Sequence, residues 1–378
     1  MIRRTFAQEL RPFALERYFA RYEFSTRYLL SSSDSETMPL GDLLALEPGA
    51  GERLANLRLN YTESQGSPAL RHQIAALYEH RDAETILVHG GSQEPIFIFM
   101  NVALQRGDGV VVQSPAYQSQ FSIAEALGIE VSRWHSDLSR EGSPDVGELE
   151  RLVRPRTRAI VLTTPNNPTG YPFDRAQIDA VVEIARRHGL WIFGDEVYRG
   201  SEREAERIPA ICDLYERGIS LGGLSKVHGL PGLRVGWIST RDRSLRGGMA
   251  AFKDYLTICN SAPSEFLAEV ALRHTDALTE RSRAISTRNL NRLDEFFARR
   301  SSLFEWARPR AGTTAFPRYL GGNSTDFCAR LVEQAGVLLV PSTIFDAGDE
   351  RFRIGYGRAD LADALAAFDA WIATAHPA

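Results

Sequence analysis

Gly223-Leu224-Ser225-Lys226-Val227-His228-Gly229-Leu230-Pro231-Gly232-Leu233-Arg234-Val235-Gly236 is the stretch that decides the fold. The apolar run Ile219-Ser220-Leu221 precedes it and Val235-Gly236-Trp237-Ile238 follows, so a lysine stands on a glycine-rich turn between two buried strands. Of the 44 basic residues in the chain, only Lys226 and Lys253 are lysines. Chemistry that needs a neutral amine therefore has two candidates, because guanidinium stays protonated. A partly buried lysine near other cations suits attack on an aldehyde, and Arg234, eight residues on, offers a planar fork for a phosphate.

Outward from this turn, Ile86-Leu87-Val88, Val110-Val111-Val112, Ala159-Ile160-Val161-Leu162 and Trp191-Ile192-Phe193 read as further buried strands. Helical patterns at 69–80, 94–104 and 175–188 alternate with them, the signature of a mostly parallel sheet covered on both faces. Beyond Pro263 the pattern changes. One or two long helices reach about Arg300, strands are expected at 313–319, 337–340 and 352–354, and a helix at 326–335. A last helix carries Leu361, Leu365, Phe368 and Ile372 on one face. The expected organisation is an N-terminal segment, 1–45, packing with the small domain, then a large domain over 46–275 and a small α+β domain over 276–378.

The 378 residues are 43% hydrophobic and 24% charged, enough apolar matter for a real core. A net charge of −4 argues against a protein held to nucleic acid by phosphate contacts. Arg281, Arg283, Arg288 and Arg292 read as a solvated helix face, and no helix-turn-helix pattern precedes the large domain. No eighteen-residue apolar run suggests a membrane span, and Met1-Ile2-Arg3-Arg4-Thr5-Phe6 lacks the apolar core of a secretory leader. Cys212, Cys259 and Cys328 form neither a disulfide framework nor a metal pattern, and the eight histidines lack ligand spacing. A cytoplasmic, reduced enzyme is the expectation. Gly223-Leu224-Ser225-Lys226-Val227 misses the last glycine of a hydrolase elbow, and Gly107-Asp108-Gly109 lacks the third glycine of a dinucleotide fingerprint.

Several strand ends carry polar clusters in a fixed order. They are His89-Gly90-Gly91-Ser92-Gln93, Ser114-Pro115-Ala116-Tyr117, Thr163-Thr164-Pro165-Asn166-Asn167-Pro168-Thr169-Gly170 and Gly194-Asp195-Glu196-Val197-Tyr198. Glycines at a helix start let backbone N–H groups approach an anion. Together with the lysine turn, Asn60-Tyr61 and Arg351-Phe352-Arg353-Ile354-Gly355, the set resembles the class I and II aminotransferases, pyridoxal-phosphate enzymes of fold type I.

The resemblance implies a large domain built on a mostly parallel seven-stranded sheet, with a smaller α+β domain. It implies pyridoxal 5′-phosphate held by Lys226 as an internal aldimine, and transfer of an α-amino group between an amino acid and a 2-oxo acid. Gly91, Ser92, Gln93 and Arg234 match the positions that hold the phosphate, and Ser225 is the candidate replacement for the phosphate-touching serine that Gly223 lacks. Tyr117 matches the aromatic stacked on the ring. Asn167 and Tyr198 match the partners of the phenolic oxygen, and Asp195 that of the ring nitrogen, where a carboxylate keeps the ring protonated. Arg353 matches the α-carboxylate arginine, with Arg351 as the fallback, and Tyr61 implies a homodimer in which it reaches the neighbouring site. Gly223 departs from the serine that many members carry there. Ala14-Leu15-Glu16-Arg17-Tyr18-Phe19 and the serine run Ser31-Ser32-Ser33 resemble, more weakly, capreomycidine synthase-like enzymes, which cyclise an arginine derivative. Cyclisation or lyase and replacement chemistry is the alternative.

Overall fold

The computed structural model describes residues 5–375. Residues 1–4, on which part of the expectation about a leader rests, and 376–378 lie outside the described residues.

Eight strands form the large sheet: β1 (Ile86–His89), β2 (Gly109–Ser114), β3 (Glu130–Asp137), β4 (Ser143–Pro144), β5 (Thr157–Thr163), β6 (Trp191–Asp195), β7 (Gly218–Gly223) and β8 (Gly236–Thr240). Their order is β1-β8-β7-β6-β5-β2-β3-β4. β8 runs antiparallel to both neighbours, β4 is antiparallel to β3, and the pairs from β7 through β3 are parallel. The sheet thus has eight strands rather than seven, the eighth being a two-residue edge. β1, β2, β7 and β8 are buried at every position, as a sheet covered on both faces requires. β3 alternates between exposed and buried near its end, so it lacks the apolar run by which its neighbours are read.

Local signals set the flanking helices. Asp174 accepts a hydrogen bond from the Gln177 N–H and opens Arg175–His188, and Gly189, at φ 64°, closes it. Three helices follow β8 in series, Arg243–Lys253, Ala262–Arg273 and Thr275–Arg299. The chain then builds a three-stranded sheet from Thr314–Ala315, Val340–Pro341 and Phe352–Gly355, with the central strand last in sequence. Of the expected strand over 337–340 only Val340 enters this ladder, while Val337 bridges to Tyr28. The core here is aromatic: Phe304, Phe327, Phe352 and Phe368 are buried, with the rings of Phe327 and Phe352 5.8 Å apart. Burying each such ring contributes about 1.5–3 kcal/mol.

The first 45 residues divide their contacts instead of joining one part. Phe6 packs edge-on against Phe97 beside the large sheet, and Leu43 belongs to the core that contains Ile86 and Trp237. Leu30 and Tyr28 join the aromatic core, and the Gly355 N–H donates to the Leu30 carbonyl. Arg281, read as part of a solvated face, donates to the carbonyls of Glu36 and Thr37 and ties this segment down.

Candidate active site

The turns leaving β1, β2, β5, β6 and β7 open on one side of the sheet, beyond the strands' carboxyl ends, where open α/β sheets bind ligands. A cavity of about 400 Å³ lies there, walled by these turns, by Arg353 and by the N-terminal segment.

Lys226 leaves β7 on a turn closed by the Gly229 N–H bonding to the Lys226 carbonyl at 3.1 Å. Its Nζ donates to Ser33 Oγ at 2.8 Å and lies 5.9 Å from the Tyr198 ring centre. Asp195 ends β6 and is 6% exposed. It accepts from Gln120 Nε2 at 2.8 Å and from the Val197 N–H at 3.4 Å. Burial pushes its carboxyl up to about 6, so the site favours a protonated partner for this acid. The Tyr198 hydroxyl is buried and has no hydrogen-bond partner among the described residues.

Arg353 is fully buried on the central strand of the small sheet. It donates to Asn167 Oδ1 at 3.3 Å and to the Ser31 carbonyl at 2.8 Å, and its Nε has no partner among the described residues. Arg351, the fallback, lines a different depression and donates to the carbonyls of Phe316 and Leu138. Tyr117 borders the cavity and donates through its hydroxyl to Glu16 Oε1 at 2.9 Å. Burial, then the Glu16 charge, holds that hydroxyl far above the usual phenol range.

The anion end is shaped by close backbone approach. Gly91 has φ 96°, and a Cβ there would stand 2.4 Å from Arg234 Nη2. A Cβ on Gly236 would come within 2.6 Å of the Ser92 backbone nitrogen, so this turn lies directly on β8. Ser92 Oγ donates to the Gly222 carbonyl at 3.1 Å and would be 2.4 Å from a Cβ at Gly223. The departure at Gly223 thus has a steric reason: Ser92 fills the place a serine side chain would take. Gln93 begins an eleven-residue helix, and its free N–H groups, with Arg234 and Ser225, bound the same end of the cavity.

Tyr61 is not brought into this cavity. It is 91% exposed and lines a separate shallow depression with Leu59 and Cys259. Conversely, Ser33, Glu16, Phe19, Glu23, Asp34 and Arg358 line the cavity and were not among the expected site residues. Glu16, Phe19 and Glu23 recur at three- and four-residue spacing, a one-face helical signal visible in the sequence. Arg358 donates to both Asp34 oxygens, at 3.0 and 2.7 Å. Elsewhere, among the described residues, His80, Cys212 and Asp213 cluster within 4.8 Å, a grouping their sequence positions did not show. Both imidazole nitrogens already bond there, to Asp213 and Thr85.

These residues fit pyridoxal 5′-phosphate: a lysine amine, a dry carboxyl for a ring nitrogen, an unpartnered buried phenol, and a glycine turn at a helix start beside an arginine. The comparisons agree. The profile of aminotransferase class I and II matches residues 29–368. The chain is 31% identical over 372 residues to a capreomycidine synthase of Streptomyces vinaceus, covering 97% of this chain and 95% of that one. A PLP-dependent aminotransferase from Streptococcus suis superposes with a TM-score of 0.92 at 31% identity, covering 97% and 98% of the two chains. A PLP-dependent cyclase, OrfR, superposes with a TM-score of 0.90 at 29% identity, covering 99% of each. With the profile running through nearly the whole chain, and with the lysine, aspartate and arginine meeting in one cavity, the protein belongs to the aminotransferase class I and II family of pyridoxal-phosphate-dependent enzymes.

Proposed function

We propose that the chain moves an α-amino group between an amino acid and a 2-oxo acid. The observation that carries this reading is the convergence of Lys226, Asp195 and Arg353 on one cavity. When bound, pyridoxal 5′-phosphate supplies an aldehyde that condenses with amines and a ring that withdraws electrons. Lys226 Nζ would hold that aldehyde carbon. Asp195 would keep the ring nitrogen protonated, Asn167 and Tyr198 would bond the phenolic oxygen, and Tyr117 would cover the ring. Gly91, Ser92, Gln93, Ser225 and Arg234 would hold the phosphate. Arg353 would bind the α-carboxylate through its fork, and the Lys226 amine would take and return the proton at the substrate α-carbon.

Three carboxyls on the cavity wall narrow the substrate. Asp34 neutralises Arg358, and neither Glu16 nor Glu23 forms a salt bridge among the described residues. Burial, then Glu16 and Asp34, push the Glu23 carboxyl up, as expected where acids crowd one wall. A second substrate carboxylate would meet no free cation here, whereas a guanidinium or ammonium side chain would find acceptors. The working unit is a homodimer in which Tyr61 reaches the neighbouring subunit's site, built of a large domain over 46–275 and a small one over 276–378. Three free thiols suit the cytoplasm.

Adding the cofactor to purified protein should produce a near-visible absorbance band that Lys226→Ala removes. A band indifferent to that substitution rejects the assignment of Lys226. Non-transaminating chemistry is the second reading, favoured by the capreomycidine synthase and cyclase likenesses. A donor that releases its 2-oxo acid and leaves the cofactor as its amine supports transfer. Turnover that preserves the original band supports the rival.

A further inference from the structure

Lys226 is oriented by a segment far away in sequence. Residues 31–36 cross the mouth of the lysine turn and are held on both sides. The Ser33 carbonyl accepts from Thr313 Oγ1 at 2.7 Å, Asp34 is gripped by Arg358, and the Ser35 N–H donates to the Lys226 carbonyl at 3.3 Å. A Cβ on Gly229 would come within 2.5 Å of the Glu36 carbonyl, so the strap and the turn are in direct backbone contact. From this fixed backbone the Ser33 hydroxyl reaches the cavity and accepts from Lys226 Nζ at 2.8 Å.

We infer that Ser33 is a positioning residue for Lys226: its hydroxyl holds the released amine so that the nitrogen lone pair stays aimed at the atoms between which the proton moves. A lysine amine on four rotatable carbons otherwise samples many poses, and only a few put the nitrogen within reach of its carbon target. One hydrogen bond to a rigid acceptor raises the population of the reacting pose. The bond leaves the Ser33 proton free to donate onward. The inference rests on the proposed role of Lys226 and adds a residue to it.

Two measurements on the full chain test it. In the holoenzyme, L-arginine deuterated at its α-carbon serves as the donor probe, and consumption of the band is followed in a single turnover. Ser33→Ala should keep the cofactor band and slow its consumption about three- to ten-fold, the worth of one net hydrogen bond. The isotope effect should rise while the donor concentration at half-maximal rate changes little. Ser33→Thr should restore the rate. In the cofactor-free chain, ¹⁵N-lysine labelling gives a spectrum of only two amines, Lys226 and the fully buried Lys253. The Lys226 Nζ protons should exchange slowly with water in wild type and in Ser33→Thr, and fast in Ser33→Ala. Unchanged exchange and rate in Ser33→Ala overturn the inference. Equal slowing in Ala and Thr also overturns it, because the strap's backbone and not the hydroxyl would then be responsible. A wild-type chain with no band tied to Lys226 sinks the proposed function instead, and the exchange comparison still decides the hydrogen bond.

Discussion

Asp195 and Glu196 are adjacent carboxyls at the end of β6, each 6% exposed, yet they turn to opposite faces of the sheet. Glu196 accepts from the Ile211 N–H at 2.9 Å, and its other oxygen has no partner among the described residues. Burial pushes its carboxyl up from 4.5 to about 7. A raised acid of this kind stabilises the fold fully below 4.5, and the contribution is lost as the pH rises through about 7. Glu196→Gln keeps an acceptor for Ile211 and removes the ionisation. The variant should match wild type near pH 4.5 and be roughly 3 kcal/mol more stable at pH 8, read as the difference in denaturation between the two proteins at each pH. His228, pushed down to about 4 by burial, has the reverse sign: its contribution is present above 6.5 and lost as the pH falls. The difference between variant and wild type is therefore the clean observable, and a pH-independent gap would mean that Glu196 ionises in the fold at the same pH as in the unfolded chain, so that burial does not raise it. A second residue prediction concerns Gly223→Ser, which restores the serine of many relatives. Here it must displace Ser92 Oγ and should weaken cofactor binding about ten-fold, whereas adding Ser92→Ala should recover most of the loss in a cofactor titration. At this scale the sequence was informative where chemistry is tied to strand ends. Lys226, Asp195, Tyr198, Asn167, Tyr117, Ser92, Gln93, Ser225, Arg234 and Arg353 all border one cavity. The resemblance drew attention to the serine run that holds Ser33, but nothing local put Ser33 beside Lys226, because that contact spans about 190 residues.

Among the elements, the strap over 31–36 connects Lys226 to the strand that carries Arg353, through Ser33 on one side and Ser31 on the other. It passes so close to that strand's end that glycine is required twice. A Cβ on Gly355 would stand 1.9 Å from the Ser32 carbonyl oxygen, and one on Gly357 would stand 2.2 Å from that of Asp34. Backbone cannot swing aside as a side chain can. Gly355→Ala should therefore cost stability at the upper end of about 1–3 kcal/mol. It should also weaken the donor amino acid more than the cofactor, since the strap supports Ser31 and Ser33 and not the anion turn. Equal losses in the two titrations would show that the strap and the phosphate end move as one. Strands with a continuous apolar run, such as Val110-Val111-Val112 in β2 and Ala159-Ile160-Val161-Leu162 in β5, and helices with explicit caps, such as Arg175–His188, are legible because burial and termination are written locally. β3, β4 and the strap are not, since each is defined by what it lies against.

For the whole molecule, the question is whether one chain makes a complete site. The anion end has its glycine turn, helix start and Arg234, but Tyr61 lies outside it and is exposed, and Leu59, Tyr255, Leu256 and Ile258 on the same chain also present large apolar side chains to solvent. Exposed apolar groups of this size are common singly, but Leu59 lines the depression that holds Tyr61, Cys259 and Pro263, and Leu256 and Ile258 flank Thr257 of the same lining in sequence, a set that a two-fold contact would use. If each Tyr61 serves the opposite site, complementation follows from symmetry. Lys226→Ala removes the amine from its own site, and Tyr61→Ala removes the phenol from its partner's. A hybrid of the two variants then has one site with both lesions and one with neither. Unfolding and reassociating equal amounts should give about half hybrids and so about a quarter of wild-type turnover, where the Lys226→Ala parent gives none and the Tyr61→Ala parent is impaired. Were Tyr61 to act within its own chain, every hybrid site would carry one lesion, and mixing would produce only the average of the parents. Mass measurement of the mixture separates this from failure to associate: a monomer mass removes the dimer itself, while a dimer mass with averaged activity removes only the crossing of Tyr61.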